Sequence, residues 1–319
     1  MTRKLPAALL SAIPFAIVPV LFVISGLVIP DYMSWGSVRT LLLLSALLGI
    51  PSIGQTGVIM IGGIDLSIPA IIGMADVAVT ELAGYGLPFW QTALIVIAAS
   101  VVIGLINGGL SLVLSVHPLV VTLATGYIIL GGVLAWTHAQ YTGTVPGWLV
   151  TSSSVDGHVG PIPLPGSVLL WFVLIAAFLF LEAMTVWGKR FYAAGANRQA
   201  ARLALARPDR IWLSTFVVSA LCAAICGVLY AGFSGEADAN VGQALLFQTV
   251  TAVVVGGTSL LGGRGGIGRT VGGALIVTEL GTLLIGVGLG APVQQIFLGG
   301  LMVVLVALYG REAHVSSRI

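Results

Sequence analysis

The chain has 319 residues, of which 58% are hydrophobic and only 8% are charged, with a formal net charge of +2. This apolar content exceeds what one soluble core requires, so it excludes an ordinary soluble domain and indicates an integral membrane protein. Apolar runs of about 20 residues favour a helical bundle over a barrel of short alternating strands. The small net charge points to no nucleic-acid partner.

Ten apolar runs predict ten transmembrane helices in one all-α domain over residues 1–319. The first run follows Arg3 and Lys4, as a signal peptide would. It is longer than a typical signal sequence and no cleavage site follows it, so we interpret it as a retained helix. The predicted spans lie at about 9–29, 38–60, 66–84, 89–114, 118–137, 167–187, 211–232, 243–260, 270–288 and 293–309.

Basic residues predict the orientation of these helices. Six of the 13 Lys and Arg residues lie in the segment 189–210, with Asp209 as its single acid. An Arg or Lys at the bilayer centre costs about 2.5–3.5 kcal/mol, so this segment lies in water, and short basic loops stay cytoplasmic. With six predicted spans before the segment and four after it, both termini are predicted to be cytoplasmic.

Glycine and proline punctuate the rest of the chain. The longest predicted outer connection, about 138–166, is rich in both, which predicts a turn-rich cap with at most a short helix. This cap is either a docking site for a soluble partner or a simple connection. Small residues four apart, as in Gly104 and Gly108, predict close helix packing. The cysteines Cys222 and Cys226 are interpreted as small core residues.

Residues 62–69 interrupt the apolar pattern with two glycines, a carboxylate and a proline. Asp65 is predicted to be the N-cap of the third helix, accepting from the Ser67 or Ile68 amide, with Pro69 in the first turn. Alternatively, the stretch is a broken helix that lines a solute path. Both interpretations can hold together. Residues 62–66 also resemble residues 256–260, but this echo is too short to prove a duplication.

Two other acids fall within apolar runs. Glu279 is the one acid recognised deep in such a run, and it is interpreted either as a solute contact or as an interhelix hydrogen bond. Glu182 is predicted to reach toward Lys189 or Arg190 at the inner end of its helix.

Polar side chains within the predicted spans are candidates for a translocation path. A hydroxylated solute needs donors and acceptors, although each such side chain can equally make a hydrogen bond between helices. The candidates are Gln55, Asp65, Ser67, Asn107, Thr122, Thr125, Gln248, Thr251, Glu279 and Thr282.

No pattern of enzymatic chemistry emerges from the sequence. Lys4 and Lys189 are the only lysines and neither belongs to a P-loop, so ATP hydrolysis by that route is excluded. The glycines at 262–268 follow no strand and are interpreted as a short inner turn rather than a dinucleotide site. The four histidines are scattered, without metal-ligand spacing. We therefore expect no catalytic residue, metal or bound cofactor.

Four stretches together resemble the permease subunits of ribose-type sugar ABC importers, which include permeases for ribose, xylose, arabinose, galactosides and autoinducer-2. They keep that family's order and spacing from about residue 40 onward. The stretches are GGIDLS at 62–67, HPLVVTLAT at 117–125, GANRQAARL at 195–203 and AVVVGGTSLLGG at 252–263.

The resemblance implies a bacterial inner-membrane permease that imports a sugar or sugar-like polyol by alternating access. Its implied partners are a second permease copy, identical or different, a periplasmic or extracellular sugar-binding protein, and cytoplasmic ATPase subunits that use ATP and Mg²⁺. The coupling contact to the ATPase would be made by Gly195, Asn197, Arg198, Ala200, Ala201, Arg202 and Leu203.

The residues themselves predict a short helix from Arg198 to Ala206 that ends before Pro208. A solvated basic loop that serves only topology is the alternative. Departures from the family pattern at Pro69, at 205–206 and at 281–282 leave the sugar open. Two rival functions remain: a stand-alone secondary transporter, which would need coupling-ion sites, and an ABC permease for nucleosides or another small metabolite.

Overall fold

The computed structural model describes residues 7–309, and throughout this range the chain is helix and loop, with a single isolated β-bridge between Val159 and Ile162. One 3₁₀ turn, Val241–Ala244, precedes α11. The α-helices are α1 Ala7–Val28, α2 Trp35–Met60, α3 Ile68–Gly84, α4 Phe89–Val113, α5 Pro118–Thr137, α6 Gly147–Ser153, α7 Gly166–Met184, α8 Val186–Ala196, α9 Arg198–Leu203, α10 Pro208–Ser234, α11 Leu245–Val255, α12 Ile267–Gly286 and α13 Ala291–Tyr309.

The prediction of an all-α membrane bundle is confirmed. Each predicted span coincides with a helix, and six of these helices are long and apolar enough to cross a bilayer: α2, α4, α5, α7, α10 and α12. The apolar stretches of α1, α11 and α13 are shorter, and α3 has 17 residues with two acids among them. The count of ten spans stays a prediction, and so does the orientation, since both predicted cytoplasmic termini extend beyond the described residues.

Three further helices lie outside the predicted spans. The short helix α6 lies in the 138–166 connection, as the sequence predicts. Helices α8 and α9 occupy the basic segment. Helix α9 begins at the predicted residue, Arg198, but it ends at Leu203 rather than Ala206. The reason is conformational, because Leu205 and Arg207 adopt left-handed φ angles of 56° and 51°, which a right-handed helix cannot contain.

Helix α10 forms the centre of the bundle and packs against α2, α3 and α4. Close approach depends on small residues, as predicted: a Cβ on Gly104 would lie 2.6 Å from the Val217 Cα in α10. Cys222 and Cys226 are buried, unpaired thiols in this core, and the Cys226 thiol donates to the Leu47 carbonyl at 3.0 Å. Their interpretation as core residues is confirmed.

Two connections between α-helices adjoin α3. We call residues 61–67, between α2 and α3, the first break, and residues 235–244, between α10 and α11, the second break. Two residues after the end of α2, Gly62 has φ +88°, and two residues after the end of α11, Gly257 has φ +87°. In both, the next amide, that of Gly63 or Thr258, donates to the carbonyl five residues earlier. The echo in the sequence therefore corresponds to a shared helix-ending turn.

Candidate functional site

Asp65 is the centre of a buried polar cluster at the first break. Its Oδ1 accepts from the Ser67 amide at 2.9 Å and from the Ser67 hydroxyl at 2.6 Å. Its Oδ2 accepts from the Ser219 hydroxyl of α10 at 2.7 Å. The side chain is only 2% exposed. Asp65 therefore ties the break to the central helix.

The prediction that Asp65 is the N-cap of α3 was wrong in position. The N-cap is Ser67, and its own side chain makes no capping bond. Asp65 acts two residues earlier, where its carboxylate closes an Asx-type turn on the Ser67 amide, one of the two amides named in the prediction. Pro69 lies in the first turn as expected, since its missing N–H is not needed there.

Neighbouring helices complete the cluster. The Asp65 amide donates to Gln55 Oε1 at 3.3 Å, and the Leu66 amide donates to Thr122 Oγ1 at 2.9 Å. Asn107 Nδ2 donates to the Ser67 hydroxyl at 2.8 Å. The structure thus brings together five of the predicted path residues, and all of them are buried. Backbone without helical partners is satisfied here by side chains.

Four other predicted path residues lie apart from this cluster. The hydroxyls of Thr125, Thr251 and Thr282 each donate to a carbonyl four residues earlier in their own helix. Gln248 is half-buried on α11. Ser219 was missed from the sequence, because a serine in an apolar helix has no local signal that distinguishes a network member from a packing residue.

Glu279 links α12 to the first helix. Its Oε1 accepts from the Ser25 hydroxyl at 2.6 Å and its Oε2 accepts from the Tyr32 hydroxyl at 2.9 Å. The side chain is fully buried. Of the two sequence interpretations, these contacts correspond to the interhelix hydrogen bond. Burial raises the pKa of Tyr32, and the hydrogen bond to Glu279 is the second cause of this rise. The Tyr32 hydroxyl therefore remains a donor.

Glu279→Ala is expected to loosen α1 from α12, because it leaves two buried hydroxyls without an acceptor, at a cost of about 2 kcal/mol. Glu279→Gln keeps an acceptor oxygen and should cost under about 1 kcal/mol. Thermal inactivation of the detergent-purified protein, followed by size-exclusion chromatography, measures the difference. Equal melting temperatures for the two variants would contradict a role for these hydrogen bonds.

Two acids of α3 have partners that the sequence did not indicate. Glu81 is a buried residue of α3 whose Oε1 accepts from the Thr142 and Gly143 amides at 2.8 and 2.9 Å, because the 138–146 loop folds back onto the helix. Asp76 was missed, although it is a fully buried carboxylate within a predicted span, and its Oδ1 accepts from the Asp238 amide at 2.9 Å.

Helix α8 positions Gly195, one of the predicted coupling residues, on the end of α2. Gly195 lies against the Met60 carbonyl, where a Cβ would not fit, and the Gly263 amide donates to that same carbonyl at 2.9 Å. We call these three residues the Met60 junction. It connects the basic segment directly to the residue that precedes the first break.

Helix α9 is built by its own polar residues. The Asn197 side chain accepts from the Gln199 and Ala200 amides, both at 3.0 Å, which caps the helix. Asp209 accepts from Arg198 at 2.8 Å and from Arg202 at 3.0 Å.

The basic segment also exposes apolar side chains near the end of α9. Within α9, Ala201 is buried, whereas Leu203 and the nearby Leu205 are 88% and 80% exposed. A fixed helix that carries one exposed leucine at its end and a second just beyond it, among cations, is more than a solvated topological loop requires.

Glu182 was predicted to reach toward Lys189 or Arg190, but its hydrogen bonds are made with other groups. Its Oε1 accepts from the Ile267 amide at 3.4 Å, in the first turn of α12, and its carboxyl also bonds Tyr192. The free amides and the dipole of a helix N-terminus attract a carboxylate. Burial raises the pKa of Tyr192 to about 12, and the neighbouring Glu182 carboxyl is the second cause of this rise, so the phenol stays protonated.

No group of three or more His, Cys, Asp or Glu side chains that would hold a metal lies within residues 7–309. The polar clusters around Asp65, Asp76 and Glu279 are built from hydroxyls, amides and backbone groups. These contacts hold helices and breaks in place.

The fold and these clusters define a multi-pass membrane permease with a structured basic segment. The chain belongs to the family described as branched-chain amino acid transport system / permease component, whose family model matches residues 37–306. The sequence resemblance to permeases of ribose-type sugar ABC importers is confirmed. Multiple apolar helices and this family place the protein in the bacterial inner membrane.

Several curated proteins are similar over most of their length. A probable ABC transporter permease of Sinorhizobium fredii, y4mJ, is 35% identical over 82% of this chain and 78% of its own length. The probable ABC transporter permease YphD of Escherichia coli is 30% identical over 91% and 86%. The autoinducer 2 import system permease LsrC of Salmonella typhimurium is 31% identical over 83% and 75%. Among solved structures, none matches the chain significantly.

Proposed function

We propose that this chain is the permease subunit of an ATP-driven importer that moves a sugar or sugar-like polyol into the cytoplasm by alternating access. Its family consists of transport permeases, and the similar LsrC proteins belong to an autoinducer 2 import system. We further propose ten spans with both termini and the basic segment in the cytoplasm, since the positive-inside rule favours that arrangement.

The observation that carries this proposal is the exposed surface of the basic segment. Exposed Leu203 ends a helix that Asn197 caps and that Asp209 holds through two arginines, and exposed Leu205 follows two residues later. Exposed apolar side chains of this kind mark a contact with another protein. A cytoplasmic ATPase with an apolar groove and acidic margins is the partner that fits.

The Met60 junction supports a mechanical role for that contact. Movement of α9 is transmitted through Gly195 to the Met60 carbonyl, and from there to the first break and Asp65. ATP binds more tightly to one ATPase arrangement than to the other, and this difference biases the permease between its inward-open and outward-open states.

The remaining partners are those that an importer requires. Hydrolysis of ATP with Mg²⁺ belongs to the ATPase, and a binding protein delivers the solute from outside. A second permease copy completes the passage. Nucleosides and other small metabolites remain alternative solutes, and ATP-independent transport by the permease alone would support the rival secondary transporter.

Leu203→Asp is expected to reduce solute-stimulated ATP hydrolysis by about tenfold or more in proteoliposomes that contain the permease, its ATPase and its binding protein. The reason is that a charge replaces an apolar anchor in the contact. The matched control is Leu261→Asp, because Leu261 is also exposed, at 59%, but lies in the glycine-rich turn. Equal losses in both variants would contradict the assignment of α9 as the coupling helix.

A further inference from the structure

Three of the residues that the sequence assigns to the solute path hold the first break instead. Asp65, Ser67 and Thr122 are buried, and they form their hydrogen bonds with the first break and with α10. Side chains that hold the fold in this way are unavailable to a moving solute. The passage therefore needs polar contacts besides these three residues.

The second break runs beside α3 in the opposite direction. The Asp238 amide donates to Asp76 Oδ1 at 2.9 Å, and the Ala239 amide donates to the Tyr141 hydroxyl at 3.3 Å. Further along, Gly242 packs on Pro69, where a Cβ would lie 2.7 Å from the Pro69 Cα. As the break proceeds from 238 to 242, its contacts on α3 thus pass from 76 back to 69.

The depth of this segment can be measured along α10, which is long and apolar enough to span a membrane. Gly227 contacts Ile72 seven residues before the end of α10 at Ser234, and Pro69 lies deeper still. At 1.5 Å per residue, Gly242 is therefore about 15 Å below that end. The second break reaches well into the bundle, where non-helical backbone is tolerated only against protein or a water-filled cavity.

One side of the second break faces α3 and the other faces away from the subunit. Ala239 and Gly242 are buried, whereas Asp238, Asn240 and Gln243 are exposed. Asp238, which bonds Asp76, lies nearer the end of α10, whereas Asn240 and Gln243 flank Gly242 at the deeper level. Polar side chains in contact with lipid at that deeper level would be costly, so a polar environment must cover them. Residues 235–248 contain two acids and no Lys, Arg or His.

We infer that the second break lines the solute passage and that Asp238, Asn240 and Gln243 contact a neutral or cationic hydroxylated solute there. This inference rests on the proposed function and extends it to the solute site. Amides and a carboxylate offer hydroxyl groups both donors and acceptors. Glu236 and Asp238 repel phosphorylated or acidic solutes, since no cation on the segment offsets them.

The inference is tested by accessibility of cysteines introduced as Asn240→Cys and Gln243→Cys in the assembled complex. A membrane-impermeant methanethiosulfonate reacts with thiolates in water, so both should be labelled at least about tenfold faster than a lipid-facing thiol. The controls are Leu94→Cys, exposed on apolar α4, and Asn107→Cys, buried in the Asp65 cluster. The parent protein gives the background, because its two cysteines are buried.

Labelling of both positions above both controls supports the passage. Rates equal to that of Leu94→Cys, in the resting complex and in the ATP-bound complex alike, would overturn it. The readout needs no transport, so this failure leaves the proposed importer standing. Conversely, the cysteines could be labelled in a permease that transports without an ATPase. That result would support the passage along the second break and would contradict the ATP-driven importer.

Charge selection has its own readout. At Gln243→Cys, a cationic methanethiosulfonate should react about threefold or more faster than an anionic one, because two carboxylates lie on the segment. Adding Asp238→Asn should lower this ratio, since the amide keeps an acceptor for the Asn240 amide but loses the charge. An unchanged ratio would overturn the assigned role of Asp238.

Discussion

Replacing Asp65 with alanine is expected to cause a large loss of folded protein. Three donors lose their acceptor at once: the Ser67 amide, the Ser67 hydroxyl and the Ser219 hydroxyl. An unsatisfied buried donor costs about 1–3 kcal/mol, so we expect a total of about 3 kcal/mol or more. The melting temperature should fall on the order of 10 °C, as measured by size-exclusion chromatography after heating.

Asp65→Asn is the matched control for this prediction. The amide keeps the shape of the side chain and one acceptor oxygen for Ser67, and its nitrogen can donate to the Ser219 oxygen. It should therefore recover most of the stability. If alanine and asparagine variants melted together, the Asp65 cluster would not be what holds the first break to α10.

Gly195→Val is expected to uncouple ATP hydrolysis from transport without preventing insertion into the membrane. A Cβ at this position would meet the Met60 carbonyl and would lie 3.4 Å from the Gly263 amide nitrogen. The α8–α9 unit must therefore shift or lose the Met60 junction. We expect transport per ATP hydrolysed to fall by about tenfold in proteoliposomes, because misplacing a positioning element by about 1 Å has large effects.

The control substitution is Gly109→Val in α4. A Cβ on Gly109 meets no atom within 4 Å among the described residues, so the same change in residue type causes no collision there. Normal coupling in Gly195→Val, with transport per ATP like that of Gly109→Val, would show that the Met60 junction does not transmit movement. Comparable expression of both variants separates coupling from folding.

Some features of the fold are local in origin and could be predicted. The hydropathy of each run determines that it is helical and apolar, because a backbone in lipid must satisfy its own hydrogen bonds. The beginning of α9 at Arg198 was predicted correctly, since Asn197 is a capping residue and its partners lie two and three residues away.

Other features depend on partners far along the chain. Ser219 bonds Asp65 across 154 positions, and the Asp238 amide bonds Asp76 across 162. No periodicity or spacing encodes such a pair, so Ser219 and Asp76 were missed. The partners of Glu81 were missed for a similar reason, because they belong to a connection that folds back onto α3.

By itself, the sequence determined the class of protein, the apolar helices, the basic segment and the family resemblance, because each of these is written in composition or in short contiguous motifs. The tertiary structure alone decided which polar residues hold the bundle together and which face outward. That distinction arises from packing: the same hydroxyl or carboxylate is a structural anchor when a neighbouring helix supplies its partner, as for Asp65, and an exposed group when none does, as for Asp238.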